Sequence, residues 1–272
     1  MLVGVTVTEQ NDSIESMQQL TLVWRAMTLD RDADADVRDL PGIAVRWADS
    51  RFAFWNAMTL TDVHSDAALL ADRLAEAASI MRSKRHSGFV WLFEDLLDNH
   101  ARATLGMTAA RAGLYDAFPG VGMAGDLLPI AEPFHPDLTF VRVTTDDHLR
   151  AYADINAGGY GFAPEDVRDG LVGSTLWKTD VHAYLGMRGD VPVTCAGTIE
   201  ANGRLFVALV ATLPEWQRRG YGEAVTRKAL FEGSRGTGLT RATLQATVAG
   251  APMYPRIGFT PNSPIHFLGL AE

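Results

Sequence analysis

Ile14, Met17, Thr21, Trp24 and Met27 recur at helical spacing, which predicts a helix from Ser13 to Leu29. Asp12, with Glu15 three residues on, supplies a capping box at its start. The charged run RDADADVRD shows neither period and is expected to be a loop. Ile43–Trp47 and Phe52–Leu60, joined by a short turn around Asp49, read as a β-hairpin. A second helix is expected over Ala67–Ser83, a short apolar strand over Phe89–Phe93, and a third helix between Leu96 and Ala112. Pro129, Pro133 and Pro136 then break both periodicities, and IAEPFHPD becomes the linker. Domains are expected over 1–130 and 138–272, with 131–137 between them.

Past the linker the pattern predicts a strand (Leu138–Val143), a helix from about Asp146, a bend at GGYGF, a short helix after Pro164 and a strand over His182–Met187. Val193–Ile199 and Leu205–Thr212 form the clearest hairpin, because Asn202-Gly203 supplies the two positive-φ residues of a type I′ turn. A helix over Tyr221–Glu232 closed by Gly233, a strand over Arg241–Ala246, a short helix around Met253 and a strand pair over Phe259–Leu268 complete the chain. Strands and helices mix without strict alternation, so the fold class is α+β, with a mixed central sheet flanked by helices. Both halves share one coarse grammar, which points to two similar domains in tandem.

The length of 272 residues suits two domains. A formal charge of −9 disfavours a nucleic acid or an anionic membrane and favours a basic partner, either a small molecule or a protein. Cys195 is the only cysteine, so an internal disulfide and a cysteine-rich metal site are both excluded; between Thr194 and Ala196 it reads as a packed small hydrophobe. The seven histidines show no metal-ligand spacing, and no metal is expected. MLVGVTVTEQND has no basic leader and apolar core, and no apolar run reaches the roughly 18 residues of a membrane span, so a cytoplasmic protein is expected. A homodimer is compatible with the sequence.

The segment LFVALVATLPEWQRRGYGEAVTRKAL carries the chemistry. An apolar strand runs through a proline-containing loop into Gln217, Arg218, Arg219, Gly220, Tyr221 and Gly222 at the start of an amphipathic helix. The first turn of a helix leaves backbone N–H groups unpaired and adds partial positive charge, which suits an anion. Gly220 and Gly222 leave room for a phosphate, and the two arginines can add charged hydrogen bonds. By contrast GVGMAG (Gly120–Gly125) formally fits a dinucleotide loop but lacks the preceding strand, the following helix and the distal acidic residue.

QRRGYG after an apolar strand and a proline resembles the pyrophosphate loop of the GNAT superfamily of acyl-CoA N-acyltransferases. Downstream, LQATVAGAPMYPRIGF is similar to that family's next strand, short helix and Gly-Phe ending, with Tyr254, Gly258 and Phe259 at the matching places. Thr247 stands near where the family often has asparagine, and Pro252 and Pro255 shorten the helix. The resemblance covers the chain from Leu138 onward. It implies acetyl-CoA as co-substrate, pantetheine along Val210, Ala211 and Thr212, pyrophosphate on the loop from Gln217 to Glu223, and transfer to a primary amine. It also implies Tyr254 as the acid that protonates the leaving thiolate, while Glu200 and His182 are the candidates for the base. In the N-terminal half the corresponding loop, TDVHSDAALLADRL, has no glycine and carries Asp62 and Asp66, so that half is expected to be a degenerate copy that does not bind CoA. The alternatives are a non-catalytic acyl-CoA-binding regulatory protein, or transfer of another acyl chain or to a hydroxyl.

Overall fold

The computed structural model describes residues 7–127 and 130–271; residues 1–6, the start of the stretch read for a leader, and Pro129 of the proline cluster lie outside the described residues. In chain order the elements are α1 (Val7–Arg31), β1 (Asp36–Leu40), β2 (Ile43–Trp47), β3 (Asn56–Leu60), α2 (Ala67–Arg82), β4 (Phe89–Phe93), α3 (Asn99–Ala112) and β5 (Leu114–Asp126). They continue with β6 (Thr139–Arg142), α4 (Asp146–Tyr160), α5 (Pro164–Leu171), α6 (Leu176–Thr179), β7 (Tyr184–Arg188), β8 (Val191–Ala201), β9 (Arg204–Thr212), α7 (Tyr221–Thr237), β10 (Arg241–Thr247) and β11 (Thr260–Leu270). Two compact units result, and they are not the linear halves. Met1–Ala124, Gln245–Pro252 and Thr260–Glu272 form the first, Gly125–Leu244 and Met253–Phe259 the second. The boundary expected at 131–137 therefore falls inside the second unit, and the chain returns to the first for its last strand.

In the first unit β1, β2 and β3 are an antiparallel meander, and α2 crosses over to β4, which lies parallel to β3. β11 then lies antiparallel between β4 and β5. Leu70, Leu74 and Met81 of α2 and Leu105 of α3 pack on Val45, Met58, Leu92 and Leu268. Trp24 of α1 meets Trp55 and Trp91 edge-on at 5.7 and 5.2 Å, and its indole N–H donates to the Phe54 carbonyl. The second unit repeats this succession: β6 to β9 pair antiparallel in order, and α7 crosses over to β10, parallel to β9. Val225 and Ala229 of α7 pack on Tyr184 and Ala196. The class is α+β with mixed sheets flanked by helices, as the patterning indicates.

Several boundaries differ for physical reasons. α1 is already helical before Ser13, so Asp12 is no cap; its carbonyl instead accepts from the Asn262 amide at 3.0 Å. The charged run ends in a strand, β1, whose edge position leaves Arg38 and Asp39 in solvent and so erases the alternation. β5 occupies the glycine-rich GVGMAG, because a Cβ at Gly120 would come within 2.6 Å of the Phe267 ring and one at Gly122 within 3.2 Å of the Phe93 ring. The bend expected at GGYGF is the last turn of α4, which continues through Gly159 because a Cβ there would sit 2.9 Å from that of Ala211. α7 likewise runs past Gly233, pressed on Thr198, to a left-handed stop at Gly238. The expected final strand pair is the single strand β11. Among the described residues no helix is long and apolar enough to cross a membrane, and no three metal-ligating side chains gather.

Within the first unit His266 on β11 bridges two carboxylates: Nδ1 is 2.7 Å from Asp116 and Nε2 is 2.8 Å from Glu94. Burial opposes protonation of the ring, but the bonds it donates to Asp116 and Glu94 outweigh burial and hold its pKa above the ordinary histidine value. Arg102 faces the same acidic group, with its guanidinium 3.3 Å from Asp95. A raised folded-state pKa contributes stability that is complete below the unfolded value near ~6.5 and is lost as pH rises through the folded one. His266→Gln is therefore expected to lower Tm by roughly 2–4 °C at pH 6. Thermal melts should show this deficit shrinking as pH is raised towards 9, whereas a deficit constant with pH would mean the ring acts by packing alone.

Candidate active site

The hairpin of β8 and β9 turns at Asn202 and Gly203, with φ of 49° and 70°, as the Asn-Gly pair demands. Further along β9 the pairing slips. Cys195 faces Ala211 and Gly197 faces Ala208, so Leu209 and Val210 together oppose one residue, Ala196. This is a β-bulge, and Leu209 takes φ of 49°, a left-handed conformation rare for leucine. On its other edge β9 pairs with β10 only at Leu205 and Phe206, opposite Ala242 and Thr243. From Val207 onward β9 and β10 are no longer in register.

After Thr212 a single 3-10 turn, Pro214–Trp216, leads into Gln217, and Arg218 and Gly220 both adopt positive φ (60° and 80°) before α7 begins at Tyr221. No side chain caps this helix, and its first intrahelical bond runs from the Ala224 N–H to the Gly220 carbonyl at 3.0 Å. The N–H groups of residues 221–223 thus precede the helical ladder and face outward with the positive end of the dipole. A Cβ on Gly222 would lie 3.2 Å from Thr212 Oγ1 and 3.6 Å from Met253 Sδ, so the helix start, the end of β9 and the turn bearing Met253 converge there. The Thr212 hydroxyl is 2.7 Å from that of Thr194, and the Thr212 carbonyl accepts from Gln217 Nε2 at 3.1 Å. Arg218, Arg219 and Gly220 are exposed, and Arg219 lies 4.9 Å over the Trp216 ring.

Two loop residues face elsewhere. The Tyr221 ring is buried beside Trp216 and His135, so only its backbone is at the cradle. The Glu223 carboxylate pairs with Arg227 and Arg256 at 3.0 and 2.8 Å, tying α7 to the turn that carries Tyr254. Burial opposes its ionisation, but hydrogen bonds from Arg256 and Arg227 outweigh it and hold the carboxyl below its ordinary value. The groups left facing outward at the helix start are thus the backbone N–H groups with the exposed Arg218 and Arg219 beside them, while Glu223 is engaged as scaffold.

Tyr254 sits in a 3-10 turn (Ala251–Arg256), 5% exposed and edge-on to Phe259 at 5.7 Å. Its carbonyl accepts from the N–H groups of Ile257, Gly258 and Phe259, which fixes the backbone of the turn, while no described residue hydrogen-bonds its hydroxyl. Burial raises its pKa, so the phenol keeps its proton at neutral pH. Glu200 is not brought here. It lies opposite Leu205, at the turn end of the hairpin, where its carboxylate accepts the Gly203 N–H at 3.0 Å. Glu200 is six steps along β8 from Thr194, the residue opposite Thr212, which puts it roughly 20 Å from Thr212 along the strand. His182 is also remote, because its ring lies 3.3 Å from the Cβ position of Gly236 in the last turn of α7, opposite the cradle. Cys195 is fully buried and burial raises its pKa, so its thiol is a poor nucleophile.

Three residues of the site carried no motif. Tyr152, Asn156 and Tyr160 line one face of α4, and the two tyrosine hydroxyls donate to the carbonyls of Leu209 (3.0 Å) and Val210 (2.8 Å). Their i, i+4, i+8 spacing was the available signal, masked by reading GGYGF as a bend.

No family model matches the sequence, and no curated protein matches it. Solved structures do match. A GCN5-related N-acetyltransferase from Kribbella flavida is 17% identical, with 94% of this chain and 96% of that one covered and a TM-score of 0.68. A GCN5-related N-acetyltransferase from Sphaerobacter thermophilus is 14% identical, with 94% and 92% covered and a TM-score of 0.55. A conserved protein of unknown function from Staphylococcus epidermidis is 13% identical, with 88% and 95% covered and a TM-score of 0.61. The chain thus has the fold of the GCN5-related N-acetyltransferases, over both halves and not only from Leu138 onward.

Gly222→Asp would place a side chain and a negative charge at the convergence of Thr212 and Met253. Calorimetry should show acetyl-CoA affinity falling at least about ten-fold, ~1.4 kcal/mol. Gly106→Asp, on α3 with open space around the added Cβ, should leave it unchanged. Equal affinity in the folded Gly222 variant would remove this helix start from the binding site.

Proposed function

We propose that the protein is an N-acetyltransferase that moves the acetyl group of acetyl-CoA to a primary amine of a small molecule or protein. The observation that carries this reading is the convergence at Gly222: an uncapped, glycine-bearing helix start meets the free edge of β9. Pyrophosphate fits the N–H groups of 221–223 with Arg218 and Arg219 beside them, and pantetheine fits along Val210, Ala211 and Thr212 as an added strand would. The GCN5-related fold supports acetyl transfer.

The first unit is read as a degenerate copy without a phosphate site. Its crossover helix α2 begins at Asp66, whose carboxylate accepts the Leu69 N–H at 2.8 Å, and Asp62 pairs with Arg73 at 2.7 Å. The helix start that could face an anion is already occupied by one of the chain's own carboxylates. A cytoplasmic location accords with the free thiol of Cys195.

In the reaction the neutral amine nitrogen attacks the thioester carbonyl carbon, and the C=O π pair moves to oxygen, where a backbone N–H of β9 stabilises it. The intermediate collapses, the C–S bond breaks, and the sulfur takes the Tyr254 proton. The nitrogen releases one proton to water, and the tyrosinate is reprotonated from solvent. The sum is an amide and free CoA thiol.

A panel of amines with acetyl-CoA, followed by thiol release, tests the activity. Acetyl-CoA binding without turnover on any amine would favour a regulatory binding protein, and no binding at all would overturn the reading. On the amine so found, Tyr254→Phe is expected to lower kcat by about 10- to 1,000-fold with little change in acetyl-CoA affinity. Full kcat in the folded variant would leave the thiolate to be protonated by solvent.

A further inference from the structure

Resting on the acyltransferase reading of this site, in which a backbone N–H of β9 meets the thioester carbonyl, we infer that Tyr152 is a positioning residue whose hydroxyl fixes the peptide group that carries the Val210 N–H and so aims that amide. Tyr152 is fully buried in α4, and its hydroxyl donates to the Leu209 carbonyl at 3.0 Å, with the Ala208 carbonyl 3.4 Å away. Asn156 completes the surroundings. Its amide donates to the Tyr152 carbonyl at 3.0 Å and to Cys195 Sγ at 3.1 Å, and that thiol lies 3.8 Å from the same Leu209 oxygen. The carbonyl of Leu209 is thereby held on the side of α4 and β8.

A trans peptide group is planar, with its C=O and N–H pointing in opposite directions. Leu209 O and Val210 N–H belong to one such group, and no described peptide is cis. Anchoring the oxygen on the α4 side therefore directs the Val210 N–H to the other edge of β9. There the register with β10 has ended at Phe206, and Val210, in the bulge, has no Cα partner in β8. The next carbonyl, Val210 O, is held by the Tyr160 hydroxyl at 2.8 Å, so the peptide groups on both sides of Val210 are fixed by tyrosines of one helix face. Tyr254 is near enough to both tyrosines to act on them electrostatically, which puts the proton donor and the amide donor in one neighbourhood.

Tyr152 also packs against Trp177 with ring centroids 5.1 Å apart, so a purely structural role must be separated from a positioning one. Tyr152→Phe keeps the ring and removes only the hydroxyl. The probe is acetyl-CoA carrying carbon-13 in the acetyl carbonyl, read by isotope-edited infrared spectroscopy on the full chain. In the unmodified protein the carbonyl band should fall in frequency on binding. In Tyr152→Phe most of that shift should vanish, while calorimetric affinity for CoA, which has no acetyl carbonyl, stays within about two-fold. An identical bound band in the two proteins, or no shift in the unmodified one, overturns the inference. Should the variant not fold, the amide resonance of Val210 in the unmodified protein decides: it must move between the CoA and acetyl-CoA complexes, and coincidence of the two overturns the inference. If the unmodified protein binds neither ligand, the acyltransferase reading falls and takes this inference with it. Binding with an unperturbed carbonyl removes the inference alone.

Discussion

A leucine held at φ of 49° in the middle of β9 is the constraint on which the proposed site turns. An L-residue costs about 1–2 kcal/mol in that conformation, and the surroundings must hold it there. They do so with hydroxyls. Tyr152 and Tyr160 take the carbonyls that the bulge removes from the sheet ladder, so no strand partner is needed to satisfy them. Without the bulge β9 could run on beside β10, and its edge would be spent on the chain's own pairing. The strain is thus the condition for an open edge next to the start of α7.

The two crossover helices show how one architecture is made receptive or closed. α2 starts on a carboxylate that accepts one of its N–H groups, whereas α7 starts on a glycine at φ of 80° with no side-chain cap among the described residues. The difference is local and chemical, since both helices connect an antiparallel meander to a parallel strand. Changing which anion a helix start faces needs only a few residues around its cap.

This contrast was legible in the sequence, because Asp66 and the Gly220-Tyr221-Gly222 run are cap chemistry and cap chemistry is local. The Asn202-Gly203 turn, α2, β4 and α7 were legible for the same reason, each carrying its own period or turn residues. What was lost depended on partners distant in the chain. β5 is a strand because β11 lies beside it and its glycines make room for Phe267 and Phe93; read alone, LYDAFPGVGMAGD carries breakers. α4 keeps its glycines because β9 approaches closely, which hid Tyr160 from the helix face it shares with Tyr152. Glu200 looked available as a base only because its distance from Thr212 is set by hairpin register, which a list of acidic residues does not contain.

β11 lies between β4 and β5, two strands that both come from the first 126 residues. During synthesis β4 and β5 leave the ribosome long before their common partner exists. At about 5–20 residues per second the wait is on the order of ten seconds, during which each presents an unpaired strand edge. The first unit is therefore finished last, and a nascent chain arrested before residue 260 carries a slot for a strand that any other β-edge in the cell can try to fill.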